Sequence, residues 1–151
     1  MALTELKGKE LGSTKVRIER GPVQVFARAI TDDPASYAAD DAVVPPTFPF
    51  VWGYWGTVDG RTTGLPIDKL RGPGRMILHG EQEFAWHQPA RVGDVLEGSA
   101  RISDVYEKDT SSALMEFYVM ETSWKDASSG APVCDARFTL IVRDTAVKKG
   151  A

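Results

Sequence analysis

The chain has 151 residues, 42% of them apolar, and a formal net charge of −3. That length suits one domain with one core, the apolar share argues against disorder, and the negative balance argues against nucleic acid as a main partner. No apolar run approaches a membrane span, the opening MALTELKGKEL lacks the apolar centre of a signal peptide, and a single cysteine, Cys134, points to a reducing, cytoplasmic compartment.

A first strand is expected at Lys15 to Arg20, where Val16 and Ile18 alternate with charged residues. Pro22 suits a first helical position, after which Val23, Phe26, Ala27 and Ile30 share one face at helical spacing. Asp32-Asp33-Pro34 ends that helix, because the residue before proline avoids the helical region. A second short helical turn follows. Thr47 is then placed to cap a helix running to about Gly56, with Pro49 in its first turn. That helix is apolar almost all round and must be enclosed. Gly60 to Gly74, with four glycines and two prolines, reads as a loop. Four strands complete the chain: Arg75 to His87, Val95 to Tyr106, Ser112 to Trp124 and Val133 to Arg143. The third is nearly continuous in apolar residues and is expected to be central. The fourth alternates cleanly, with Cys134, Ala136, Phe138, Leu140 and Val142 on one face. The order gives a single α+β domain over residues 1–151, an antiparallel sheet curled around one long apolar helix. Its core is expected at about residues 15–143, between frayed termini. Exposed sheet edges predict an obligate dimer.

Three stretches resemble the MaoC-like dehydratases, or (R)-specific enoyl-CoA hydratases: VQVFARAITDDPASYAAD, VVPPTFPF and LHGEQEFAWHQPARVGDVLEGSARISDVYEK. The most specific part is Leu78-His79-Gly80-Glu81-Gln82-Glu83-Phe84, followed by Pro89 and Gly93-Asp94. The pattern is similar to the N-terminal half-domains of that family and to the substrate-holding subunit of the mycobacterial 3-hydroxyacyl-ACP dehydratase. The resemblance implies a hot-dog fold and a homo- or hetero-dimer or tetramer with a MaoC-like hot-dog subunit. It implies acyl-thioester substrates carried on coenzyme A or phosphopantetheine, and no further cofactor. Catalytic members carry Gly-Asp-x-Asn-Pro-x-His after the first helix. Here one alignment places Thr31, Asp33 and Ser36 at the Asp, Asn and His positions. The preferred one places Asp32 at the Asp and Tyr37 at the His. Neither supplies a histidine, and a tyrosine of ordinary pKa is a poor base at neutral pH. The implied function is a hydratase–dehydratase subunit working with a catalytic partner. A homodimeric thioesterase and a non-catalytic acyl-CoA-binding scaffold are the alternatives.

Each candidate site residue also has a plainer reading. Asp32 and Asp33 are either a water-binding carboxylate pair or the solvated end of a helix. Tyr37 either positions substrate or packs beneath the turn. His79, expected on one face of its strand with Glu81 and Glu83, is a substrate contact or a structural histidine. His87 reads as a surface residue. Phe48, Phe50, Trp52, Tyr54 and Trp55 either wall an acyl tunnel or fill the core, with Phe48, Trp52 and Trp55 as the substrate-binding candidates. Gly53 and Gly56 allow close approach of a backbone or ligand. Arg71, Arg75 and Arg91 are candidates for the carrier's phosphates, although loop arginines are usually solvated. Cys134 reads as a small core residue. No metal site is expected, since the two histidines lack zinc-ligand spacing.

Overall fold

The computed structural model describes residues 2–61 and 63–149. Strand β1 (Glu10–Arg17) leads into helix α1 (Arg20–Ala29), a 3-10 turn (Pro34–Tyr37) and helix α2 (Pro49–Trp55). A short helix α3 (Ile67–Leu70) precedes four strands, β2 (Arg75–Trp86), β3 (Val95–Asp109), β4 (Leu114–Asp126) and β5 (Pro132–Asp144). All five strands form one antiparallel sheet in the order β1-β3-β4-β5-β2. The apolar β4 is central, as expected of a strand buried on both faces: Tyr118 and Val119 point to opposite faces and are both buried.

The sheet's two faces differ along most of their length because side chains alternate on a strand. One face carries Cys134, Ala136, Phe138, Leu140 and Val142 of β5, and α2 packs against it. On the other, Glu10, Arg101, Glu121, Arg137 and Glu83 sit opposite one another across all five strands. This row alternates in sign, and Arg101 bridges Glu121 at 2.9 Å. Such opposite-charge neighbours help to fix register on a wet face.

Trp52 anchors α2 to the sheet. Its ring meets Trp124 and Trp86 edge-on, with centroids 5.2 and 6.0 Å apart. Gly98 makes room for this, because a Cβ there would lie 2.6 Å from the Trp124 ring. A second cluster joins Leu6, Leu70, Ile102, Tyr118, Leu140 and Val142 at the other end of the sheet.

Several expectations are corrected. The first strand spans residues 10–17 rather than 15–20, and a register shift at Glu10/Gly12 accommodates Gly12 at φ +88°. Pro22 is the third residue of α1, and Ile30 lies beyond the helix end and is exposed. Thr47 does not cap α2. Phe48 N–H already bonds to Pro45 O and Phe50 N–H to Thr47 O, so a preceding turn runs directly into the helix. The central helix is short, seven residues, and is not enclosed within one chain. Pro49 and Trp52 are buried, whereas Phe50, Tyr54 and Trp55 are 44%, 77% and 48% exposed. The 60–74 loop contains α3, held by the fully buried Leu70. The N-terminus is docked rather than frayed: Ala2 and Leu6 are buried, and Leu3 N–H donates to the Tyr118 hydroxyl at 3.1 Å. A one-turn helix (Ala146–Lys149) occupies the C-terminal end, and residues 150–151 lie outside the described residues.

Candidate functional site

A cavity of about 200 Å³ opens between α2 and the inner face of the sheet. Its position follows from side-chain size. Ala136 of β5 and Thr122 of β4 are paired neighbours, and Thr122 is paired in turn with Ala100 of β3. Of this row, Thr122 and Ala136 line the cavity and leave space beside α2. Gly53 keeps the facing side of the helix bare, with no atom within 4 Å of a Cβ built there. Phe84, Phe138, Met120 and Trp124 wall the trough, Phe50 and Tyr54 form the helix side, and the 63–67 segment closes one end. Among the described residues, no charged residue lines it. An uncharged apolar trough with few polar groups is suited to an acyl chain rather than to an ion.

Arg75 holds the end of α3, which follows that segment. Its Nε donates to Leu70 O at 2.9 Å, its Nη atoms donate to both carboxylate oxygens of Glu116 at 3.0 and 2.8 Å, and Nη1 also donates to Asp144 at 2.8 Å. Glu116 is fully buried and accepts a further bond from the Tyr118 hydroxyl at 2.7 Å. Burial pushes the Glu116 carboxyl up, but the bonds from Arg75 and Tyr118 outweigh it and hold it below the usual range. Burial likewise pushes the Tyr118 phenol up to about 12. Arg75 is therefore occupied as a clamp and is not presented to a phosphate. Arg71 and Arg91 are exposed, and Arg91 donates to Asp41 O at 2.9 Å.

The turn after α1 brings Asp32 and Tyr37 together. Thr31, at φ +62°, reverses the chain, and Asp33 caps the following 3-10 turn by accepting from Ala35 N–H at 2.9 Å. The Tyr37 hydroxyl donates to Asp32 Oδ2 at 2.5 Å, and Asp33 N–H donates to Asp32 Oδ1 at 2.8 Å. These bonds stabilise the carboxylate and lower the Asp32 pKa. The same bond to Asp32 raises that of Tyr37. Neither group is thereby tuned toward neutral pH, where a general acid or base works best. Neither lines the cavity. Tyr37 also packs against the main core cluster, which agrees with its plainer reading.

The other candidates divide. Phe48 and Trp52 are core residues, 1% exposed, and Trp55 is exposed and is not among the residues that line the cavity. His79 lies on the inner face, with its ring 5.3 Å from Phe50 and 4.7 Å from Phe138, two residues of the cavity wall. It does not share a face with Glu81 and Glu83. A register shift between His79 and Glu81 puts Gly80 out of the ladder and turns the two glutamates outward. Gly80 permits this because a Cβ would lie 2.7 Å from Ile141 and 2.9 Å from Thr139 O. His87 Nε2 meets Asp135 at 2.8 Å on the surface. Cys134 is buried, and burial pushes its thiol up to about 12. Among the described residues no group of His, Cys, Asp or Glu is arranged to hold a metal, and no helix is long and apolar enough to cross a membrane. Gly53, singled out in the sequence for close approach of a backbone or ligand, lines the cavity, whereas sequence reasoning passed over Gln82, Phe84, Thr122 and Phe138 as site residues, all of which line it too. The available signal was the run of small inward residues on the neighbouring strands.

Comparison with known proteins fits this architecture. A protein of Saccharopolyspora erythraea designated UPF0336 is 29% identical over 152 residues, covering 92% of this chain and 90% of that one. A UPF0336 protein of Thermobifida fusca is 28% identical over 97 residues, covering 58% and 61%. Among solved structures, the C-terminally truncated HadBC (3R-hydroxyacyl-ACP dehydratase) complex of Mycobacterium tuberculosis superposes with a TM-score of 0.64 at 22% identity, over 90% of this chain and 96% of that one. The ChsH1–ChsH2 complex of the same organism gives 0.65 at 18% identity, over 90% and 84%. These likenesses establish the hot-dog fold that the sequence resemblance implies. The model of the "FAS1-like, dehydratase domain region" matches residues 5–136, and the chain belongs to that family.

Proposed function

We propose that this chain is the acyl-holding subunit of an acyl-thioester hydratase–dehydratase, paired with a second hot-dog chain that supplies the Asp and His of the catalytic turn. The observation that carries this reading is the contrast between its two sites. The described residues that line the cavity are uncharged and mostly apolar, whereas the turn locks Asp32 as a carboxylate against Tyr37 as a phenol. Dehydration of a 3-hydroxyacyl thioester needs a base to take the proton at C2 and an acid to protonate the departing hydroxyl; hydration runs the same transfers in reverse. A phenol with a raised pKa is not such a base at neutral pH. The reacting proton therefore moves on the partner's side, and this chain binds and orients the acyl group.

The surface supports a partner. Phe50, Tyr54, Trp55 and Val58 are exposed in one region of the chain, and β2 is an edge strand with backbone groups open on one side. HadBC and ChsH1–ChsH2, which share the fold, are both complexes. The thioester would be carried by coenzyme A or phosphopantetheine, with Arg71 and Arg91 as the basic groups open to its phosphates.

Affinity purification of the tagged chain, followed by an enoyl-CoA hydration assay, tests the proposal. The chain alone is expected to be inactive, and its complex with a hot-dog partner active. Full-rate hydration of a short enoyl-CoA by the isolated chain, abolished by Asp32→Ala, would refute it.

A further inference from the structure

The cavity has one feature that an ordinary fatty acyl chain does not use. Thr122 is one of the lining residues contributed by the sheet and is only 7% exposed. Its hydroxyl has no hydrogen-bond partner among the described residues and is open to the cavity rather than sealed in the core, so a guest that covers it decides whether it is paired. A second polar group, Gln82, lines the same space. Its Nε2 donates to Arg137 O at 3.2 Å, which leaves its carbonyl oxygen as an acceptor. Thr14 is different: its hydroxyl already donates to Arg61 O at 2.5 Å. With no cationic residue among the described lining residues, a carboxylate would enter unpaired at a prohibitive desolvation cost. A neutral oxygen would instead satisfy Thr122. The size is compact: a cavity of roughly 150 Å³ holds benzene, and this one is about 200 Å³. Its walls are largely aromatic, with Phe50, Phe84, Trp124 and Phe138 offering ring faces and edges.

We propose that the acyl group held here is a compact, ring-sized one that carries a neutral hydrogen-bonding oxygen, and that Thr122 is the residue that selects it. This rests on the acyl-holding role argued above. The Thr122 hydroxyl can donate to a carbonyl or ether oxygen, or exchange both roles with a hydroxyl. A guest without that oxygen leaves Thr122 buried and unpaired, which is where discrimination arises.

Calorimetric titration of the full-length chain, in the assembly in which it purifies, tests the idea with saturated thioesters that cannot be turned over. The probes are 3-phenylpropionyl-CoA and its three ring-hydroxylated isomers, with hexanoyl-CoA for comparison. At least one hydroxylated isomer is expected to bind about tenfold more tightly than the parent. Thr122→Val, which keeps the shape and removes the hydroxyl, is expected to collapse that ratio toward one, and Thr122→Ser to retain it. If the phenyl and hexanoyl thioesters bind but hydroxylation gives no preference, or if Thr122→Val keeps the preference, the selectivity inference is overturned and the acyl-holding role stands. If no thioester binds, both fall.

Discussion

Gly53→Ala tests the cavity with a single methyl group. Glycine inside a helix is less favourable than alanine by about 0.8–1.0 kcal/mol, so at this position it carries a cost. Nothing lies within 4 Å of a Cβ built on Gly53, and its backbone is helical, so alanine introduces no clash. The variant should therefore be more stable by close to the full helix difference. For a domain of this size that raises Tm by about 2–4 °C. The same methyl projects into the cavity. It occupies roughly the volume of one water, ~30 Å³, or about 15% of the 200 Å³ present. Binding of a ring-sized acyl-CoA should weaken while stability rises. Differential scanning calorimetry and calorimetric titration on the same preparation read both effects. A variant that is stabilised but binds a ring-sized acyl-CoA as the parent does would show that Gly53 does not border the acyl site. A destabilised variant would show that the helix is packed more tightly here than the structure has it.

Other expectations follow from the packing. Arg75→Met leaves Glu116 and Asp144 without their shared cation and should cost about 3–5 kcal/mol in denaturant unfolding; an unchanged midpoint would mean the cluster is not closed in solution. The pH dependence has a definite sign. Because Glu116 is held below its ordinary value of 4.5, its contribution is present above pH 4.5 and is lost as pH falls through the lower folded value. A urea midpoint that rises on acidification below pH 4.5 would contradict this. Gly98→Ala drives a methyl into the Trp124 ring and should cost about 1–3 kcal/mol, with a change in near-ultraviolet circular dichroism from the tryptophan cluster. Cys134, with its thiol pushed up to about 12, should be inert to Ellman's reagent at pH 8 in the native chain and react fully in guanidinium. Prompt native reactivity would place it at the surface.

Periodicity made the strands legible. The alternation from Cys134 to Val142 reports a pleated strand with one inward face, and that face is where the structure puts it. The pairing within the turn was legible as well. Asp32 and Tyr37 are five residues apart with a chain reversal between them, and the structure joins them by a hydrogen bond. The helix after Pro49 was identified by its proline and its apolar run, but composition alone overstated its enclosure. Apolar residues on every side of a helix report that each side meets something apolar, without saying whether that something belongs to the same chain.

Local order, element types and the missing histidine were thus determined by the sequence alone, because each depends on residues close together along the chain. The face occupied by His79 was decided by a bulge at Gly80, which exists because Ile141 and Thr139 of another strand leave no room for a Cβ there. The cavity was decided in the same way. Thr122 and Ala136 are unremarkable in their own segments and line a hollow with Gly53 only when two neighbouring strands pair them. Arg75 reads as a loop cation until folding surrounds it with two carboxylates. Void space and charge pairing arise from neighbours distant in sequence, so only the tertiary structure could fix them.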